Sequence, residues 1–217
     1  MTKGNKKILM WAGVILIGLT TALVIYRLSV RTFIGRTPFR RRTIKNALEE
    51  YKLWGEGNKK ETDSSMYSTL KKYWDNIDWA ESKWSPSGTA WSSAFISYIM
   101  NKSRANEDDF VFSASHSDYI TKAIQNRKKN QKGFKGYKLN EKKVELGDLV
   151  CYGRQDGITY DTTGKYESHC DIITEIDGDN AIGIGGNVSN SVSSKKIPLV
   201  DGFVKEGGKR FVVIKTK

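Results

Sequence analysis

Residues 169–185 read HCDIITEIDGDNAIGIG and contain two short apolar segments separated by a turn signal. In 169–176 (HCDIITEI) polar and apolar side chains alternate, which is the pattern of a strand with one buried face. Residues 177–180 (DGDN) favour a tight turn, and apolar residues return in 181–185. This stretch therefore predicts a β-hairpin in an antiparallel sheet.

The chain around this hairpin divides into a helical half and a strand-rich half. Helices followed by consecutive hairpin-linked strands indicate an α+β fold, with the helices packed on an antiparallel sheet of five or six strands. Amphipathic periodicity predicts four helices, and apolar segments predict three further strands. The predicted helices are 43–54, 64–77, 89–101 and 115–129, and the further strands are 149–152, 192–199 and 211–215.

Composition excludes several classes of protein. The 217 residues are 38% hydrophobic and 28% charged, which fits neither a disordered chain nor a multi-span membrane protein. The net charge is +12, but ten of the 36 basic residues lie in the first 50 residues with only two of the 24 acidic ones. The positive charge is therefore concentrated near the N-terminus, and we expect no nucleic-acid partner.

Residues 8–26 (ILMWAGVILIGLTTALVIY) form an uncharged apolar segment. As a helix it would be about 28 Å long, close to the ~30 Å hydrocarbon core of a bilayer. The segment is longer than the apolar region of a signal peptide, and no cleavage signal follows it. It predicts a single-pass membrane anchor within an N-terminal segment 1–42, followed by a helical linker 43–63 and a folded domain 64–217.

The flanks of this segment bear on orientation and lipid contact. Seven basic residues follow it within about twenty positions, including the cluster Arg40–Arg42, for which we expect contact with anionic lipid. The positive-inside rule favours the cytosol for the C-terminal domain. The function argued below favours the extracytoplasmic side of the envelope, and we expect the domain there.

The chain contains two cysteines and two histidines. These numbers exclude a disulfide-dense scaffold and a four-thiolate zinc site, and we expect no metal and no cofactor. Cys170 adjoins His169, but neighbours on a strand point to opposite faces, so this thiol is a poor candidate nucleophile. If Cys151 and Cys170 lie on paired strands, a disulfide can form outside the cytosol.

Three segments carry residues suited to covalent catalysis: 91–95 (WSSAF), 168–172 (SHCDI) and 185–190 (GGNVSN). A hydroxyl in the first turn of a helix lies at the positive end of the helix dipole, which favours developing negative charge. A histidine on a neighbouring strand could take its proton, and a polar group beyond could orient the imidazole. The predicted nucleophile, base and orienter are Ser92, His169 and Asn187.

Four motifs together resemble a known superfamily: WSSAF (91–95), GDLVCYGR (147–154), HCDIITEI (169–176) and GGNVSN (185–190). They look like the NlpC/P60 and CHAP amidase/endopeptidase domains. More closely, over about residues 65–215, they resemble the bacterial domain of unknown function 2272, which is similar in WSxAFIS, SAxHSDYI and GGNVSNSV. The resemblance implies a papain-like fold that cleaves amide bonds in cell-wall peptides with a Cys–His–polar triad.

The sequence departs from this superfamily at the nucleophile, because Ser92 stands where the superfamily has cysteine. A hydroxyl is far less acidic than a thiol and must lose its proton in concert with attack. Two functions therefore remain open. One is a membrane-anchored envelope amide hydrolase acting on a peptidoglycan stem peptide or a similar peptide. The other is a catalytically inactive papain-like module that binds cell-wall peptide or glycan.

Residues 113–119 (SASHSDY) form a further polar segment. It reads either as a serine-capped helix start or as part of the cleft, with His116 or Asp118 contacting substrate or acting as a second acid or base. Beside the predicted nucleophile, Trp91 and Ser93 are also expected to contact substrate.

Overall fold

The computed structural model describes residues 37–217. The predicted membrane anchor at residues 8–26 lies outside the described residues. No helix within 37–217 is long and apolar enough to cross a bilayer. The helices are α1 Pro38–Leu53, α2 Tyr67–Asp75, α3 Ser92–Lys102 and α4 His116–Lys128; the strands are β1 Lys135–Tyr137, β2 Leu149–Gly153, β3 Ser168–Asp177, β4 Asn180–Val188, β5 Ser191–Val200, β6 Phe203–Val204 and β7 Arg210–Lys215.

The strands form one antiparallel sheet in the order β1-β7-β2-β3-β4-β5-β6. The expected combination of helices with an antiparallel sheet is confirmed, and so is the hairpin that joins β3 and β4. The number of strands in the described chain is seven rather than five or six. The two unpredicted strands, β1 and β6, contain three and two residues, too few to show an alternating pattern.

Helix α1 begins well before the predicted residue 43. Thr37 occupies the N-cap, its Oγ1 accepts a hydrogen bond from the backbone N–H of Arg40 at 3.3 Å, and Pro38 stands in the first turn. Phe39 and Ala47 of this helix are buried in the main hydrophobic core. The segment expected to be a linker thus contributes a helix to the core of the folded domain.

The sheet has a different hydrophobic core on each face. The larger core lies between the helices and one face of the sheet, where α3 provides several fully buried side chains. Val150 and Ile173 belong to the smaller core on the other face. In the β2–β3 register Tyr152 pairs with His169 and Val150 pairs with Asp171. These four side chains therefore lie on one face of the sheet, and Cys170 lies on the other.

Two residues of the basic cluster are held by the folded domain. Arg40 is only 8% exposed and donates to Asp148 Oδ1 at 2.8 Å and to two backbone carbonyls. Arg42 Nε donates to the carbonyl oxygen of Ser103 at 2.9 Å. The guanidinium of Arg40 is buried in the domain, so the lipid contact expected of this residue is wrong. Arg42 uses one of its donors within the domain.

Cys151 and Cys170 face each other on β2 and β3 and form a disulfide that closes a loop with a sequence separation of 19. Both residues are fully buried. The bond therefore joins two central strands on the face of the sheet opposite to the one that carries His169 and Asp171.

Reduction of this disulfide is expected to lower the free energy of unfolding by about 3 kcal/mol, since a loop of this length restricts the unfolded chain by roughly that amount. Denaturant unfolding of the wild type with and without reductant measures the effect. The double variant Cys151→Ala/Cys170→Ala is the control and should not respond to reductant. An equally small response in both proteins would contradict the prediction.

Candidate functional site

Ser92 is the first residue of α3, as the sequence predicts for a hydroxyl at a helix start. The helix begins at Ser92 rather than at the predicted residue 89, its N-cap is Trp91, and no side chain of the described chain caps it. Thr89 instead accepts a hydrogen bond from the backbone N–H of Ser85 at 3.2 Å. The first-turn N–H groups of a helix have no intrahelical partner, so Ser92 lies at the positive end of the α3 dipole.

The hydroxyl of Ser92 forms a hydrogen bond with His116, with 2.7 Å between Oγ and Nε2. His116 is the first residue of α4, so two helix N-termini meet at this pair. Ser92 is 4% exposed and His116 5% exposed. The other ring nitrogen of His116, Nδ1, contacts the hydroxyl of Tyr119 one turn along α4.

His116 is uncharged at neutral pH. Burial, aided by the neighbouring basic groups His169, Arg154 and Lys195, places the pKa of His116 well below its ordinary value. Burial raises the pKa of the Tyr119 hydroxyl, which keeps it protonated. In the tautomer with hydrogen on Nδ1, His116 donates to Tyr119 and Nε2 accepts the Ser92 proton, which is the arrangement a general base requires.

His169 has both ring nitrogens engaged elsewhere. Nε2 lies 3.0 Å from Asp171 Oδ1, and Nδ1 lies 3.1 Å from a terminal nitrogen of Arg154. Because the carboxylate only accepts and the guanidinium only donates, Nε2 of His169 donates to Asp171 and Nδ1 accepts from Arg154. The centroids of the His169 and His116 rings are 5.2 Å apart, but no hydrogen bond within residues 37–217 joins His169 to Ser92.

Asp171 links His169 to a cation. Its Oδ2 lies 2.8 Å from Lys195 Nζ, which also donates to the hydroxyl of Tyr152 at 2.8 Å. Burial alone would raise the pKa of Asp171, but His169 and Lys195 more than offset this, and the pKa lies below its ordinary value. Asp171 is therefore an ionised carboxylate that fixes the His169 ring.

Asn187, the predicted orienter, does not bond His169. Its side-chain amide donates to Glu61 Oε2 and accepts from the backbone N–H of Trp91, each at 3.2 Å. The same Glu61 oxygen accepts from Trp91 Nε1 at 2.7 Å. Asn187 thus positions the residue preceding Ser92. Asp171 takes the place beside His169, and Gly185 leaves room for it, because a Cβ there would lie 2.3 Å from Asp171 Oδ1.

The other predicted substrate contacts are engaged within the fold. Trp91 is fully buried and stacks on Trp54 with 4.9 Å between ring centroids. Ser93 donates to the carbonyl oxygen of Ser113 at 2.8 Å. The carboxylate of Asp118 accepts from the Ser113 hydroxyl at 2.6 Å and pairs with Lys165. None of these three side chains is directed at Ser92.

An open polar cleft of about 490 Å³ lies beside this site. It is bounded by the loop that precedes α3 and by the turn between β4 and β5. Its lining residues are Glu61, Ser87, Gly88, Thr89, Ala90, Tyr152, Arg154, Asn187, Val188, Ser189 and Asn190. Within residues 37–217 no group of three or more His, Cys, Asp and Glu side chains is placed to hold a metal ion.

Four residues that the sequence reasoning did not assign to the site belong to it: Tyr119, Arg154, Asp171 and Lys195. Alternation on a strand puts residues i and i+2 on one face, so the spacing of His169 and Asp171 could have revealed their pairing. No comparable local signal exists for Lys195, which reaches Asp171 across the sheet from β5.

The low pKa of His116 predicts a pH dependence of stability. Below about pH 6.5 the unfolded chain protonates this histidine while the folded protein does not, so the free energy of unfolding decreases as the pH falls. The slope reaches at most about 1.4 kcal/mol per pH unit for one proton. Denaturant unfolding between pH 7 and pH 5 measures it. His116→Gln should show a slope smaller by up to that amount; identical slopes in both proteins would contradict the prediction.

The profile of one bacterial protein family matches residues 49–212 of the chain. The match spans most of the chain and includes every residue of the site described above. Comparison with curated proteins and with solved structures gives no match. The chain thus belongs to the family described as an uncharacterized protein conserved in bacteria, the domain of unknown function 2272.

Proposed function

We propose that the protein is a membrane-anchored cell-envelope hydrolase that cleaves an amide bond in a peptidoglycan stem peptide or a similar peptide. The observation that carries the proposal is the 2.7 Å hydrogen bond between Ser92 Oγ, at a helix N-terminus, and the buried neutral His116. A hydroxyl bonded to a neutral imidazole is the minimal arrangement for an activated serine nucleophile.

In the proposed reaction, Ser92 Oγ attacks the amide carbonyl carbon while its proton passes to His116 Nε2. The oxyanion accepts hydrogen bonds from first-turn N–H groups of α3. The His116 imidazolium then gives its proton to the leaving amine, and an acyl ester remains on Ser92. Water, deprotonated by His116, hydrolyses this ester and restores the hydroxyl.

The base in this proposal is His116. His169, the base predicted from the sequence, is assigned a supporting role. Its ring is held by Asp171 and Arg154 and lies beside His116. Asn187 supports Ser92 indirectly by holding the backbone of Trp91.

The proposed setting is the extracytoplasmic side of the membrane, with a fold of the papain-like type that NlpC/P60 and CHAP domains share. The helix-borne nucleophile followed by an antiparallel sheet supports this relationship. The buried Cys151–Cys170 disulfide favours an oxidising compartment, because thiols are kept reduced in the cytosol.

Cleavage of purified peptidoglycan peptides by the full-length protein in detergent tests the proposal, with products identified by mass. A fluorophosphonate probe gives a second readout that needs no known substrate, because an activated Ser92 attacks its phosphorus, releases HF and gains the mass of the phosphonyl group. The controls are Ser92→Ala, which removes the proposed nucleophile, and Ser68→Ala, which removes an exposed serine of α2 outside the cleft lining. Cleavage or labelling at Ser92 supports the hydrolase; absence of both overturns it.

One observation favours the second candidate, an inactive binding module. Ser92 is only 4% exposed and does not line the cleft, so the loop 87–90 must move before a carbonyl carbon can reach Oγ. The cleft itself is open without any movement. Binding of peptidoglycan peptides to the wild type without cleavage or labelling would establish this function instead.

A further inference from the structure

We propose that the cleft beside Ser92 binds a zwitterionic group, a short peptide or amino-acid end that carries both a free ammonium and a free carboxylate. The inference deepens the proposed function, since it names the substrate group presented near the nucleophile. It is drawn from the charges, burial and size of the cleft.

The cleft has one negative and one positive side chain. Of its lining residues only Glu61 and Arg154 are charged, and neither forms an ion pair within the described part of the chain. A ligand with one charge of each sign matches this pair. A ligand with only a negative charge would be repelled by Glu61, and a ligand with only a positive charge would be repelled by Arg154.

Glu61 is the more unusual of the two charges because it is only 5% exposed. Its Oε2 accepts from two neutral donors, Trp91 Nε1 at 2.7 Å and the amide of Asn187 at 3.2 Å. These bonds satisfy lone pairs but leave the negative charge without a cation, which is costly in a partly desolvated position. An ammonium group entering the cleft would supply the missing counter-charge.

Arg154 provides the complementary contact. One terminal nitrogen donates to His169 Nδ1 at 3.1 Å, and the other donors of the guanidinium remain for a ligand. The planar fork of arginine fits a carboxylate through two parallel hydrogen bonds. A carboxylate bound to Arg154 would thus be separated from His169 only by the guanidinium group that contacts both.

The remaining walls are neutral and polar. Ser87, Thr89, Tyr152 and Ser189 offer hydroxyl groups, and the turn 187–190 offers backbone groups in left-handed conformations at three of its residues. A volume of about 490 Å³ lies within the range of roughly 300–1,000 Å³ typical of small-ligand clefts. The nearby Lys60 is not part of the lining, since its ammonium bonds the carbonyl oxygens of Gly57 and Ser189.

Four probes separate the two charges: Ala-Ala, acetyl-Ala-Ala, Ala-Ala amide and acetyl-Ala-Ala amide. Their binding to the full-length Ser92→Ala variant in detergent is measured by titration calorimetry, so that cleavage cannot interfere. We expect Ala-Ala to bind at least about 10-fold more tightly than either singly charged probe, and the neutral probe most weakly. Equal affinity for Ala-Ala and the neutral probe, or no binding of any probe at millimolar concentration, would overturn the proposal.

Two further substitutions assign each charge to its residue. Arg154→Gln should abolish the preference for the free carboxylate over the amide. Glu61→Gln should abolish the preference for the free amine over the acetylated one, while its amide oxygen still accepts from Trp91. Lys59→Gln, at an exposed lysine outside the cleft lining, is the matched control and should leave all four affinities unchanged. If the Arg154 and Glu61 variants weaken all four probes equally, the charges serve the fold alone and the proposal is wrong.

The result is independent of whether Ser92 is catalytic. Selective binding of Ala-Ala without any cleavage by the wild type would support the cleft assignment and the binding module, and overturn only the hydrolase. Cleavage by the wild type without any charge preference in binding would support the hydrolase and overturn the cleft assignment. Arg154 is exposed, so Arg154→Gln keeps the test decisive even if Glu61→Gln fails to fold.

Discussion

Replacing His116 by alanine is expected to slow both peptide cleavage and fluorophosphonate labelling by about 10²–10⁴-fold, the usual contribution of a general base. The physical reason is the 2.7 Å bond from Ser92 Oγ to His116 Nε2. Without this imidazole no neutral acceptor within the described residues contacts the hydroxyl, and the alkoxide would have to form unaided. The measurement is kcat/KM for a cleaved peptide, or the labelling rate where no substrate has been found.

His169→Ala and Asn187→Ala are the matched comparison, because the sequence alone assigns them as base and orienter. We expect each to have a smaller effect than His116→Ala, since neither side chain bonds Ser92. Tyr119→Phe should fall between them, because it removes the group at His116 Nδ1 and leaves the base in place. A larger loss for His169→Ala than for His116→Ala would contradict our assignment and favour the triad predicted from the sequence.

The sequence predicts the parts of this site that depend on local pattern. Ser92 at the start of an apolar helix and His169 at the start of an alternating strand are both recognisable from periodicity. It does not predict which histidine reaches the hydroxyl. That depends on how the segment between α3 and α4 folds back to place His116, a long-range contact that leaves no periodic signal.

In the fold, too, the elements with a local pattern are predictable from the sequence, and those that depend on long-range contacts are not. Strands β3, β4 and β5 have enough residues to reveal their alternation, whereas β1 and β6 form only because a neighbouring strand is available for pairing. For the N-terminal part of α1 the sequence predicts a basic flank, because a run of arginines next to an apolar segment is typical of membrane proteins. Only the tertiary structure reveals the buried carboxylate that holds Arg40.

The buried carboxylate that holds Arg40 belongs to Asp148. Asp148→Ala should lower the free energy of unfolding by about 3–5 kcal/mol, as expected when one partner of a buried ion pair is removed. Asp148 is fully buried between Arg40 and Lys215 and connects α1, the turn before β2 and the end of β7. Burial raises the pKa of Asp148 despite both cations, so desolvation of this group is already costly. Its removal leaves the buried Arg40 with only the largely exposed Glu145 as a counter-charge.

Glu145→Ala provides the control, because Glu145 contacts the same two cations, at 3.3 Å from Arg40 and 2.7 Å from Lys215, but its side chain is 62% exposed. Ion pairs of exposed groups contribute about 0–1 kcal/mol, so this variant should be nearly as stable as the wild type. Denaturant unfolding at pH 7 compares the three proteins. Similar losses for both variants would mean that burial does not set the strength of this network.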